Sequence, residues 1–186
     1  ACCSTTCGAN DPIAIDTRRE LLVDNYLVDR TDGQAALRLH SPTPREIALV
    51  FDRPWEGNCC GAYSTVFFDD SRYRMYYISY QQTLLGESAS HPIFTCYAES
   101  QDGIHWVKPD LGQFEFAGSK KNNIVMWDGY DTCSEAIIVP FKDFNPNCKP
   151  AERYKALVAI PAGLRALKSP DGIHWQLDER LVTGLR

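Results

Sequence analysis

The clearest pattern in the chain is a run of short, β-forming segments that begins at Tyr63. Thr65-Val66-Phe67-Phe68 is followed by the turn Asp69-Asp70-Ser71 and by Arg72-Tyr73-Arg74-Met75-Tyr76-Tyr77-Ile78-Ser79-Tyr80, so the two segments predict a hairpin. Phe94 to Ser100 adds a third strand, and Ile104 to Lys108, after the Asp102-Gly103 turn, a fourth. The pattern then recurs. Ala136 to Val139 predicts a first strand, Arg153 to Ile160 matches the second, and Leu164 to Ser169 runs through Asp171-Gly172 into Ile173-His174-Trp175. Each unit closes on Ser-x-Asp-Gly-Ile-His-Trp. Asp102 and Asp171 stand 69 positions apart, while Arg72 and Arg153 stand 81 apart, which isolates an extra loop over 81–92 in the first unit.

Such four-stranded recurrence predicts an all-β fold of antiparallel, propeller-blade-like units at about 63–109 and 135–182. Before them lie an irregular, Cys-rich N-terminal arm over 1–20 and the start of a partial β-propeller over 21–186. Leu21 to Asp29 reads as strand or short helix; Leu37 to His40 and Ile47 to Phe51 read as strands flanking the break Ser41-Pro42-Thr43-Pro44. Two blades do not close a ring, and open strand edges invite pairing. The edges are therefore expected to meet another chain, another copy or the remainder of a propeller.

Composition narrows the partners. With 19 basic against 24 acidic residues and a pI near 5.3, the chain lacks the positive stripe that a nucleic-acid backbone needs. Its longest apolar runs are far short of the roughly 20 residues of a membrane-spanning helix. Eight cysteines, three of them at Cys2, Cys3 and Cys7, fit disulfides in an oxidising compartment, with free buried thiols or a metal site as the other readings. Cys59 and Cys60 are adjacent, so on a strand they point to opposite faces. The start at Ala1 fits a processed, exported protein, secreted or held at the cell surface or periplasm. No Gly-x-Ser-x-Gly elbow, phosphate-binding Gly-rich loop or His-Glu-x-x-His helix occurs, and no cofactor or metal is expected.

Candidate chemistry clusters just before the first strand of each unit. Glu56, Asp52 and Asn58 surround Trp55, an acid beside an aromatic platform of the kind that suits a glycoside. Before the second unit, Asp131 and Glu135 are the natural partners for Glu56, because glycoside hydrolysis uses two carboxyl groups, roughly 5 Å apart for retention and about 6.5 to 9.5 Å apart for inversion. Glu87 and His91, in the extra loop, are placed to form a rim. Their ordinary alternatives are a surface pair of Asp52 with Arg53, a core plug at Trp55 and solvated loop acids. The Ser-x-Asp-Gly-x-x-Trp turns read as scaffold, and His105 and His174, at matching positions, as hairpin surface or packing.

Leu21 to Asp29, the run Trp55-Glu56-Gly57-Asn58-Cys59-Cys60-Gly61, Thr95 to Ser100 and Ser169 to Trp175 together resemble five-bladed β-propeller proteins related to glycoside hydrolase families 32 and 43, mostly bacterial. The resemblance covers about residues 20 to 182. It implies a sugar-binding funnel, with Glu56 at the position of the first-blade acid and Asp131 at that of the second, and a general-acid Glu on a third blade beyond this chain. The function expected is a carbohydrate-active, glycosidase-like propeller segment that hydrolyses or binds glycans with residues beyond this chain. The alternative is a non-catalytic structural or glycan-binding protein that self-assembles through open blade edges.

Overall fold

Strands form where β-branched and aromatic residues run together and find a partner to pair with. The computed structural model describes residues 13–24, 26–36, 38–61, 63–84, 91–127, 137–160 and 163–182. Among them, regular structure is antiparallel sheet with short 3-10 turns at Pro54–Glu56 and Pro150–Glu152. The chain divides into two units, Ala1–Arg45 and Glu46–Arg186. In the first, the described residues form turns and extended chain, with the Arg18 guanidinium donating to the carbonyl of Ala14 at 3.0 Å.

Among the described residues, every strand belongs to the second unit. The first sheet is built on β3 (Arg72–Tyr80) and β4 (Phe94–Ser100), paired from Tyr73 opposite Ser100 to Ser79 opposite Phe94. On the far side of β3 lie β1 (Cys59–Cys60) and β2 (Thr65–Asp69); on the far side of β4 lie β5 (Trp106–Val107) and β6 (Ile124–Trp127). The second sheet runs β10-β9-β8-β7, from Gln176–Val182 through Gly163–Ser169 and Tyr154–Ile160 to Phe141–Lys142. Tyr154 pairs with Ser169 as Tyr73 pairs with Ser100, so the two repeats share one register.

Alternation along β3 divides its side chains between two cores. Tyr76, with Tyr97 beside it on β4, faces the second sheet and packs with Tyr154, Ala156, Val158, Leu167 and Trp175. Tyr77, Cys96 and Ala98 face the other way, toward Leu49, Trp55, Trp106, Phe114 and Phe116.

Several expected elements differ. Leu21–Asp29, Leu37–His40 and Ile47–Phe51 form no strand among their described residues. Leu21, Val23, Leu39 and Ile47 stay exposed, and an extended run without a partner has no ladder to satisfy its backbone. In the second repeat, Ile137 to Val139 are not strand although Ile138 is buried in the core; Ala136 lies outside the described residues. Pairing there starts at Phe141, after Pro140, which has no N–H to give a ladder. Strand β6 was signalled by no turn or repeat.

The repeated turns are scaffold. Asp102 Oδ1 accepts the backbone N–H groups of Ile104 and His105, both at 2.8 Å, and Ser100 Oγ accepts that of Gly103 at 2.9 Å. Asp171 and Ser169 repeat this at 2.8, 2.9 and 2.9 Å. Each His ring contributes Nδ1 to its own Asp at 2.6 Å, and each remains exposed to solvent.

Candidate functional site

Glu56 closes the 3-10 turn that Pro54 begins, and the turn swings its side chain under the first sheet. The residue is 0 % exposed. Its Oε2 accepts the Arg53 backbone N–H at 2.7 Å, and its Oε1 accepts the Tyr77 hydroxyl at 2.7 Å. Lys108 Nζ bridges both oxygens, at 2.6 Å from Oε1 and 2.8 Å from Oε2, and also donates to the Val50 carbonyl at 2.6 Å. Asn123 completes the cluster by donating to Tyr77 Oη at 2.8 Å and to the Tyr97 carbonyl at 2.6 Å. Burial pushes the Tyr77 hydroxyl far above its ordinary pKa, so it donates to Glu56 at any physiological pH. A buried carboxylate persists when its charge and lone pairs are answered, and here they are. Glu56 thus ties the 50–58 segment to β3 and to Lys108.

The neighbours of Glu56 serve the same anchorage. Asp52 is exposed and pairs with Lys108 at 3.1 Å, which, by its hydrogen bond and charge, lowers the Asp52 pKa. Asn58 exchanges two hydrogen bonds with the backbone of Gln82, at 3.0 and 2.7 Å, and so fixes the start of the extra loop. Trp55 donates its indole N–H to Asn123 Oδ1 at 2.7 Å and sets its ring edge-on to Phe116, with centroids 6.2 Å apart. Asp131 and Glu135 lie outside the described residues, as does Glu87, so the carboxyl pair expected across a glycosidic bond has one described member.

A second place is open. The tight Phe116 to Ser119 turn, with both chain ends hydrogen-bonded at 2.9 and 3.0 Å, projects Phe116 beside Phe94. Its central residues Ala117 and Gly118 have φ of 49° and 80°, the signature of a two-residue hairpin turn. Phe94, Phe114, Phe116 and Trp127 line a groove of about 520 Å³, with Gln113, Glu115, Lys120 and His91 contributing polar groups. That volume is within the usual range for a small-ligand site.

Among the described residues, His91 is the one sequence candidate that lines this groove. Its ring stacks on Phe94 at 5.1 Å with planes 12° apart and meets Phe116 edge-on at 5.8 Å. Nδ1 lies 2.8 Å from the Pro92 carbonyl, and a carbonyl only accepts, so Nδ1 carries a proton. Nε2 is enclosed and has no hydrogen-bond partner among the described residues. Trp55 stands behind Phe116 as part of the supporting wall. The residues missed from sequence, Phe94, Phe114, Phe116 and Trp127, carried one legible signal: the alternation Phe114-Glu115-Phe116 before the Ala117-Gly118 turn.

Four cysteines are described, Cys59, Cys60, Cys96 and Cys148, and all are free thiols. No disulfide occurs among the described residues; Cys2, Cys3, Cys7 and Cys133 lie outside them. Burial, reinforced by the Glu56 charge, raises the Cys96 pKa, and burial also raises that of Cys60, which disfavours the thiolate at both. No cluster of metal-ligating side chains and no helix long and apolar enough to cross a membrane occurs among the described residues. Comparison with family models, with curated proteins and with solved structures found no match for this chain.

Proposed function

We propose that this chain is a glycan-binding segment of propeller-like, glycosidase-related architecture, acting where glycans stand, at or beyond the cell surface, and together with residues outside this chain. The observation that carries the reading is the groove between His91, Phe116 and Trp127. Aromatic walls suit the apolar C–H face of a pyranose or furanose ring, and the polar groups of Gln113, Glu115 and Lys120 suit its hydroxyls.

Binding is favoured over hydrolysis by Glu56 because both oxygens of that carboxylate are already engaged by Lys108, Tyr77 and the Arg53 N–H. A glycosidic oxygen would have to displace one of them.

The test is a glycan panel followed by calorimetric titration of any sugar retained. Phe116→Ala and His91→Ala should each weaken binding about tenfold, equivalent to about 1.4 kcal/mol, with the fold intact by circular dichroism. Retained affinity in both variants, or no glycan bound by the wild type, would refute the assignment.

A further inference from the structure

The second Ser-x-Asp-Gly turn is held in place by the first sheet. Arg74 donates to the Asp171 carbonyl at 2.7 Å, and Tyr76 Oη donates to the Gly172 carbonyl at 2.9 Å. His174 is fixed with the turn, because Asp171 Oδ2 takes its ring Nδ1 at 2.6 Å and Asp171 Oδ1 its backbone N–H at 2.9 Å. A carboxylate only accepts, so Nδ1 carries the proton. Nε2 of the neutral ring is then an acceptor.

Gln113 meets that acceptor. Its Nε2 lies 2.8 Å from His174 Nε2 and 3.2 Å from the Leu111 carbonyl. Both partners accept, so both amide hydrogens are committed and the orientation of the amide follows. The backbone on either side is pinned by the buried Asn122, whose carbonyl accepts the Leu111 N–H at 2.8 Å and whose side chain donates to the Phe114 carbonyl at 2.8 Å. Gln113 Oε1 has no partner among the described residues, and Gln113 lines the groove of Phe94, Phe116 and Trp127. The first repeat has no such link. Among the described residues the His105 ring is hydrogen-bonded to Asp102 alone, and its side chain is 85 % exposed where that of His174 is 59 %.

We propose that Gln113 is the specificity-determining residue of the groove, presenting Oε1 as a fixed acceptor for one sugar hydroxyl, and that His174 is the positioning residue that sets it, without touching the sugar. The inference rests on the glycan-binding reading and deepens it. A glutamine amide free to turn offers oxygen or nitrogen and discriminates little between a ligand group that donates and one that accepts. An amide whose nitrogen is committed on both sides favours a hydroxyl and leaves a group that only accepts without a partner. The Asp-Gly-Ile-His motif, scaffold in both repeats, thus acquires in the second a role at the groove through Gln113.

The probes are the methyl pyranosides of glucose, galactose and mannose and their monodeoxyfluoro analogues, in which fluorine accepts but cannot donate. Calorimetric titration of the wild type should show, at one ring position, a preference of about tenfold for hydroxyl over fluorine. Gln113→Met keeps the length of the side chain and loses the acceptor, so the preference should vanish. His174→Phe should reduce it in the same way, because the released amide turns freely. Adding Gln113→Glu to His174→Phe should restore it, since a carboxylate accepts whichever way it turns; a merely structural role of His174 would weaken every sugar alike and show no such rescue. Nitrogen NMR of the ligand-free protein should find His174 in the Nδ1–H tautomer. An unchanged preference in Gln113→Met, a double variant no better than His174→Phe, or an Nε2–H tautomer would overturn the inference and leave glycan binding standing. A wild type that holds none of the parent sugars would remove the glycan reading, and this inference with it.

Discussion

The docking of the second repeated turn can be weighed by placing one methyl group at each of two matched glycines. Gly103 and Gly172 have nearly the same backbone, with φ of 79° and 78°. Alanine at either position carries the left-handed penalty of about 1–2 kcal/mol. Their surroundings differ. A Cβ at Gly103 meets only the Tyr73 ring, at 3.5 Å, which is ordinary contact. A Cβ at Gly172 falls 2.6 Å from Tyr76 Oη and 3.0 Å from an Arg74 guanidinium nitrogen, the two groups that hold the turn. Gly172→Ala therefore adds overpacking of about 1–3 kcal/mol and weakens a hydrogen bond of about 1 kcal/mol. Gly103→Ala should cost about 1–2 kcal/mol and Gly172→Ala about 3–5 kcal/mol. Urea denaturation followed by tryptophan fluorescence would read the difference as a shift in midpoint at constant slope. In the Gly172→Ala background, Tyr76→Phe removes the overlapping oxygen and should restore part of the loss. Equal destabilisation by the two alanines would refute the claim that the second turn is gripped by the first sheet and the first turn is not.

Other consequences concern charge. Glu56→Gln leaves Lys108 buried against an uncharged amide and should cost about 3–5 kcal/mol, while Glu56→Gln combined with Lys108→Met should be less destabilising than the sum of the two; additivity in thermal unfolding would count against the structural role. Burial works to raise the Asp171 pKa, but the backbone N–H groups of His174 and Ile173 and the His174 ring outweigh it and hold the carboxyl down to about 2. A depressed acid contributes stability above its unfolded pKa of about 3.9 and loses it as pH falls toward about 2. Asp171→Asn should flatten the acid limb of the stability curve between about pH 4 and pH 2, and an unchanged slope there would exclude that source. Asp69 is also depressed: burial opposes it, and the Lys142 and Tyr154 hydrogen bonds and the Arg74 charge prevail, so it adds to the same limb with the same sign.

Much of the sheet was legible because its signals are local. Alternation and β-branched or aromatic content mark β3, β4 and β8, and the Ser-x-Asp-Gly motif encodes a turn whose hydrogen bonds close within six residues. Where the prediction depended on a distant partner, it failed. Leu21 to Asp29 has strand composition but forms no strand among its described residues, and β6 has little local signal yet pairs with β4. The candidate site divided in the same way. An acid beside Trp55 was visible, but that the acid would be enclosed depended on Lys108, Tyr77 and Asn123, remote in sequence. His91 was visible as a loop residue, whereas the rings that make a groove around it come from three separate segments, β4, the 114–116 turn and β6.

The chain by itself determined an all-β, antiparallel architecture with two repeated Ser-x-Asp-Gly turns, because side-chain alternation and turn chemistry act over a few residues. Tertiary structure decided which copy of each repeated feature is engaged. Arg74 and Tyr76 grip one Asp-Gly turn and leave its twin free, and Glu56 is sealed while the aromatic groove stays open. Those outcomes depend on how sheets stack, and burial and hydrogen-bond partners across a stack are properties of positions in space.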